Sequence, residues 1–260
     1  LIQNEQHSKV KRLDFNHLKT NISHVIFKQV NIQENEVSAR IRKMRFREQS
    51  GLEIEHLSSN VSVSPSEITF INTSIGTKTS EIRASYEMRS EDFDSYGKFI
   101  SDIDNQLDIR SAEVTSEDLK YFIPKLKAHK IYHVNGQFSG SIDNLKGKNV
   151  HISNSRQSAF TGEFSIRGLP DPDETFLFVD VDELTTNRKT IEDVIDQFSD
   201  ADEYVELPHE LDRLGNITYR GKLTGFLKDI VAYGTLETNL GSFKSDLSID
   251  GKHEIPKYKG

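Results

Sequence analysis

Nine histidines and 41 acidic side chains are the groups in this 260-residue chain best suited to hold a metal or move a proton. Only His129 and His133 stand four apart. Residues at that spacing share a face on a helix, but Pro124 upstream and Val134-Asn135-Gly136 downstream are poor helix company. Isolated surface histidines are therefore the expectation, and no metal set. The acidic runs Asp171-Pro172-Asp173-Glu174 and Asp180-Val181-Asp182-Glu183 have the charge for Ca²⁺. They lack the loop spacing of a calcium site and read as solvated turn carboxylates. Neither a Gly-x-Ser-x-Gly elbow nor a Gly-x4-Gly-Lys-Ser/Thr loop occurs. Cysteine is absent, which removes disulfides, thiolate nucleophiles and Cys-based metal sites. Carboxylate pairs for glycoside cleavage need not be close in sequence and stay open, though nothing supports them. The expectation is a non-enzymatic chain without cofactor. Four Asn-x-Ser/Thr sequons, at Asn21, Asn60, Asn72 and Asn216, would matter only in a eukaryotic secretory host.

The net charge of −8 argues against phosphate-backbone binding, which needs clustered cations, so no nucleic-acid partner is expected. The run Arg40-Ile41-Arg42-Lys43-Met44-Arg45-Phe46-Arg47 is locally basic. Its cations interleave with apolar residues, as on a strand with one wet face. Hydrophobic residues make up 35% and the mean hydropathy is −0.58. Such polarity suits either disorder or an extended, one-sided sheet; the regular patterning favours the sheet. No stretch approaches the ~20 apolar residues of a membrane helix. The start at Leu1, with no leader, reads as an excerpt from a longer protein whose anchor lies elsewhere.

The elements that would position any site are strands. Ile82, Ala84, Tyr86 and Met88 alternate with Arg83, Ser85 and Glu87. Phe160, Gly162, Phe164, Ile166 and Gly168 alternate with Thr161, Glu163, Ser165 and Arg167, and Phe243, Ser245, Leu247, Ile249 and Gly251 repeat the pattern. Period two puts the apolar set on one face of each strand. Asn135-Gly136, Ser50-Gly51, Asp250-Gly251, Pro65 and Leu169-Pro170-Asp171-Pro172 read as breakers. Strands every 8–14 residues or so imply hairpin-linked sheets, on the order of 20 short strands in all. Thr190-Ile191-Glu192-Asp193 resembles a capping box, with Ile191, Val194, Ile195 and Phe198 at helical spacing, predicting a helix near 190–198. Ser116 to Phe122 predicts a turn or two of helix before Pro124, and 91–100 is ambiguous.

The second half repeats itself. Gly136-Gln137-Phe138-Ser139-Gly140-Ser141-Ile142-Asp143-Asn144-Leu145 matches Gly221-Lys222-Leu223-Thr224-Gly225-Phe226-Leu227-Lys228-Asp229-Ile230. Further on, Phe160–Gly168 matches Phe243–Gly251. Two linked blocks in one order predict a structural repeat, with copies at about 134–168 and 217–251. Phe138 and Ile142 should share a face around Gly140, and Leu223 and Leu227 around Gly225; strand glycines mark bends. The chain divides into an N-terminal β segment, 1–130, and a β-repeat segment, 131–260, with the helical insertion near 190–198.

Ile41 to Ile54, Thr77-Lys78-Thr79-Ser80-Glu81-Ile82, Ser116 to Pro124 and Gly136-Gln137-Phe138-Ser139-Gly140 with Asp143-Asn144-Leu145 resemble segments of the AsmA-like/TamB family. The likeness runs from about Leu13 to Ile249, on soft strand patterns, and covers an interior portion only. It implies an all-β, elongated, curved antiparallel sheet, a β-taco or solenoid-like groove with one or two short helices. It also implies a periplasmic setting, phospholipid acyl chains moving between inner and outer membranes along an apolar concave face, membrane contact through regions beyond this chain, and in some members an Omp85-type outer-membrane barrel as partner.

The groove candidates are Ile82, Ala84, Tyr86, Met88, Phe138, Ile142, Phe160, Phe164, Ile166, Leu223, Leu236, Leu240, Leu247 and Ile249. From the pattern alone a closed core is the favoured reading, since apolar strand faces usually pack on something; the resemblance brings the open groove level with it. Two other readings stand beside the conduit: an envelope scaffold for outer-membrane protein assembly that works through strand edges, and a carbohydrate-active β-solenoid, which would need a polar groove with exposed aromatics.

Overall fold

A computed structural model describes residues 13, 18–92, 103–123, 126, 130–154, 158–169, 174–198, 207–226, 229–250 and 257–259. The described residues form one antiparallel sheet. Its strands are β1 (Thr20–Gln33), β2 (Glu36–Glu48), β3 (Glu53–Val63), β4 (Glu67–Gly76), β5 (Glu81–Arg89), β6 (Asp104–Thr115) and β7 (Ile131–Gly140). They continue as β8 (Asn144–Asn154), β9 (Ser158–Arg167), β10 (Phe176–Thr186), β11 (Ile217–Phe226), β12 (Asp229–Thr238), β13 (Gly241–Asp250) and β14 (Lys257–Lys259). Each strand pairs only with its neighbours in sequence, and the order runs β1 to β14 without closing. At ~4.8 Å per strand the sheet advances roughly 60 Å. It passes without a break from β6 to β7, across residues 130 and 131.

The elongated open sheet matches expectation, but the strands are fewer and longer than the breaker count implied. Asn135-Gly136 is no turn: both residues lie inside β7, and Gly136 takes φ +141° there. Asp180 to Glu183 likewise lie inside β10 rather than in a turn.

Nearly every pairing carries a mid-strand register shift. Shifts occur in each pair from β1–β2 to β10–β11, and none in β11–β12 or β12–β13. A bulge bends its strand and strengthens the local twist. Stacked across successive strands, the bulges make a crease along the sheet. Asn72 and Asn149 sit in it with φ of 55° and 49°, a backbone Asn tolerates better than most residues.

All helical structure in the described residues lies on one rim. α1 (Ser116–Leu119) follows β6; α2 (Arg188–Phe198) and a 3-10 helix (His209–Leu214) join β10 to β11. α2 begins two residues before the expected capping box. Asn187 is its cap: its Oδ1 accepts the Thr190 N–H at 2.9 Å, and its carbonyl accepts Ile191 N–H at 3.0 Å. Glu192 is 3% exposed; it pairs with Arg188 one turn back and accepts the Leu207 N–H at 2.7 Å. Arg188 also reaches Asp212 at 2.6 Å, and its guanidinium holds that carboxyl below the usual range. Lys130 meets Asp193 at 2.5 Å, so α2 lies back along the rim toward β7. The helix within 116–122 is one turn, and its Asp118 carboxylate accepts the hydroxyls of Thr77 (2.5 Å), Thr79 (2.9 Å) and Ser80 (2.5 Å). Those contacts lock α1 to the β4–β5 turn. Residues 93–100 lie outside the described ones.

Candidate functional site

Directly opposed residues of antiparallel strands share a face, so the register traces that face from end to end. One row runs Val25–Met44–Leu57–Ile75–Ile82–Ala112–Val134–Ile152–Phe160–Leu184–Tyr219–Leu236–Phe243, one residue from each of thirteen strands. A second runs Ala39–Val61–Phe70–Tyr86–Leu107–Phe138–Gly147–Phe164–Val179–Leu223–Ala232–Leu247. Apart from glycine and Tyr hydroxyls, no position in either row is polar.

Between the rows lies the crease, and its residues are small or β-branched. Ser59 (4% exposed), Thr73 (5%), Ala84 (4%), Val150 (0%) and Val181 (3%) are buried, with Ile41, Gly136 and Gly162. No second sheet covers them in the described residues. Small side chains buried at the bulges with no covering sheet mark this as the inner face of the bend. On the arms, Ile82, Met88, Phe138, Phe160, Phe164, Ile166, Leu223 and Leu236 remain only half-buried. Together these describe an open trough with a dry floor and accessible apolar walls.

Aromatic rings cover strand glycines on this face that would otherwise leave gaps. A Cβ on Gly147 would fall 2.5 Å from the Phe164 ring, one on Gly162 3.1 Å from Phe160, and one on Gly234 2.8 Å from Tyr219. Rings laid over strand glycines restore the packing a glycine gives up. Phe138 and Phe164 meet at 6.1 Å between centroids. The few polar atoms of this face are satisfied locally. Ser59 Oγ and Thr73 Oγ1 are 2.8 Å apart. The Tyr86 hydroxyl donates to Asn105 Oδ1 at 2.5 Å, while Asn105 Nδ2 donates to the carbonyls of Ile103 and Gly140. Burial pushes the Tyr86 hydroxyl up to about 12.

Ile82, Ala84, Tyr86, Met88, Phe138, Phe160, Phe164, Ile166, Leu223 and Leu236 thus occupy one face, as the alternation required. Ala84 is crease rather than wall. Leu247 and Ile249 take the register positions opposite Ala232 and Ile230, but their side chains lie outside the described ones. Two candidates are displaced. Ile142 sits in the β7–β8 turn, so it does not share a strand face with Phe138. Leu240 sits in the β12–β13 turn, 58% exposed. The candidates missed Val25, Met44, Leu57, Ile75, Ala112, Val134, Ile152, Leu184, Tyr219 and Phe243 of the first row and Ala39, Val61, Phe70, Leu107, Val179 and Ala232 of the second; around Val134, Ile152 and Leu184 an adjacent bulge or glycine breaks the period-two signal.

The convex face is charged and largely self-neutralised. Arg47 pairs with Glu53 at 2.6 Å, Arg220 with Glu183 at 2.6 Å and Glu237 at 3.0 Å, and Lys222 with Asp180 at 3.4 Å. His133 lies 3.8 Å from Glu113; His129 and 171–173 lie outside the described residues. Among the described residues, no three His, Asp or Glu side chains gather as a metal site would require. No family model, curated protein or solved structure matches the chain.

Proposed function

We propose that this chain is a length of lipid conduit, an interior stretch of an AsmA-like/TamB-type envelope protein of the periplasm, whose trough shelters phospholipid acyl chains between two membranes. The carrying observation is the pair of unbroken rows over twelve and thirteen strands, apolar apart from glycine and the Tyr hydroxyls, in which most described side chains are half-buried, with Ala112 and Gly147 buried and Val25 and Phe243 exposed. Each acyl methylene removed from water contributes about 0.8 kcal/mol. A continuous apolar wall supplies that gain at every position along the path, so a chain can slide without crossing a barrier. The open mouth leaves a headgroup in solvent. No reacting group is needed, and transport follows from shape and dryness alone.

The test is purification from a bacterial host without detergent, organic extraction, and mass spectrometry for phospholipid against an unrelated soluble control. Phospholipid near stoichiometry is expected, with loss in a folded Phe164→Asp variant. A Phe164→Asp protein that folds and retains full lipid would remove that wall position from the path.

A second reading rests on β1. All fourteen of its residues are exposed, and in the described residues its outer edge has no strand partner. Such an edge can template another chain's strand, as an assembly scaffold working with an Omp85-type barrel would. Photo-crosslinking from β1 edge positions that traps a barrel strand, with no lipid in the extract, would favour it.

A further inference from the structure

The β1–β2 bulge gathers cations that no described residue neutralises. Lys28 stands directly opposite Arg40 across the ladder. Like charges in that position repel, and the strand on the other side offers Arg40 the neutral Asn60. The register skips Arg42, since Ile26 faces Lys43 and Phe27 faces Ile41. That extra residue brings a second guanidinium to the same place: Arg40 and Arg42 both line two depressions of about 350 Å³. Lys28 and Gln29 complete one of these; Asn60 and Asn72 help line the other, which the crease residues Ile41 and Ser59 also border. Among the described residues, no ion pair or side-chain hydrogen bond reaches Lys28, Arg40 or Arg42.

The same strand supplies its own control. Arg45 and Arg47, three and five residues beyond Arg42, are held by Glu53, at 3.4 and 2.6 Å. Neutralising acids were thus available to this sequence, and they stop short of the bulge, in a chain whose net charge is −8. Opposed like charges left uncompensated cost stability, and such local conflict is expected where a ligand resolves it.

We propose that Lys28, Arg40 and Arg42 form a binding site for a phosphate group, on the face opposite the trough. Two guanidiniums offer forked donors matched to phosphate oxygens, the lysine adds a point charge, and the Gln29 and Asn60 amides suit the remaining oxygens. The phosphate comes either from a phospholipid headgroup or from a soluble phosphate ester; both present the same tetrahedral anion. The site does not depend on the lipid-conduit reading, because it shares no side chain with the two trough rows.

The test uses the whole chain in two arms. Thermal melts are taken with and without millimolar inorganic phosphate, at ionic strength matched with chloride. Flotation is done with phosphatidylcholine vesicles containing or lacking 30% phosphatidylglycerol. Arg40→Gln/Arg42→Gln is compared with Arg45→Gln/Arg47→Gln, which removes equal charge. A phosphate-dependent rise in melting temperature is expected in the parent and the control pair but not in Arg40→Gln/Arg42→Gln. That variant should also melt no lower than the parent without phosphate, since the repulsion is gone. Flotation with the phosphatidylglycerol vesicles, reduced about tenfold or more in the same variant alone, assigns a headgroup as the source. A phosphate shift without flotation assigns a soluble one. Equal losses in both pairs, or no phosphate response in the parent, overturn the site. Lipid in the trough extract is read separately and is expected to be the same in both variants.

Discussion

The two copies of the repeat, β7–β9 and β11–β13, are built from the same residue plan and bend differently. Gly136 and Gly221 occupy equivalent places with φ of 141° and 152°, as do Gly140 and Gly225 with 98° and 139°. Phe138 and Leu223 fall in one row of the trough, and Phe160 and Phe243 in the other. The middle strands diverge. In β8, Gly147 and Val150 on the apolar face are three residues apart, with Asn149 at φ 49° between them. In β12, the equivalent Ala232 and Gly234 are two apart, and the ladder stays in register. One extra residue therefore separates a creased stretch from a regular one. Glycine permits the bend; the inserted residue enforces it.

The comparison can be broken most severely at its tightest point. Val150 is fully buried in the crease, so Val150→Asp strands a charge there and should cost on the order of 3–5 kcal/mol. The urea midpoint should drop accordingly; a midpoint within error of the parent would mean that the crease is open to water. A gentler change converts one copy into the other. Deleting Asn149 should restore alternation in β8 and flatten the crease, for about 1–2 kcal/mol. Amide exchange at β8–β9 should then resemble that at β12–β13, and unchanged exchange would show that the neighbouring strands hold the crease without this bulge. The smallest effect belongs to the polar clasp on the trough wall. Tyr86→Phe leaves Asn105 Oδ1 without its donor and should cost about 1 kcal/mol at neutral pH.

Tyr86 also carries a pH signature. Its folded-state hydroxyl titrates higher, near 12, than the ordinary value of 10. The folded form therefore holds its proton longer than the unfolded one. The associated stability is intact below pH 10 and is lost as pH rises from 10 toward 12. With no tryptophan in the chain, tyrosinate absorbance reads this cleanly. Burial also raises Tyr121 and Tyr219, so the latest step of the tyrosinate titration is the one assigned to Tyr86 and should be gone from Tyr86→Phe.

How much of this was legible beforehand divides along physical lines. Strand faces were, because a two-residue period is written locally: β5 and β9 could be assigned to one face from alternation alone. The existence of α2 was legible too. Its start was not, since an Asn187 side chain and a Thr190 side chain offer equally good caps until the β10 terminus fixes which one is used. The crease was not legible either. A bulge is a relation between two strands, and a sequence read along one strand sees only an interrupted pattern, which is why Asn135-Gly136 looked like a turn. Ile142 and Leu240 were misplaced for a related reason, because hairpin ends are set by the partner's length. The unneutralised cations at Lys28, Arg40 and Arg42 look like any wet strand face until the ladder shows who stands opposite whom.

Every strand in this sheet rests on the one made just before it. A chain arranged so pairs each strand with a neighbour in sequence, mostly through short turns, and so keeps down the loop-closure penalty that slows most β-rich proteins. The sheet can therefore be laid down in the order in which the polypeptide emerges from a ribosome or a translocation pore, each new strand finding a finished template. Its length can change by whole hairpins, with the existing pairings left untouched.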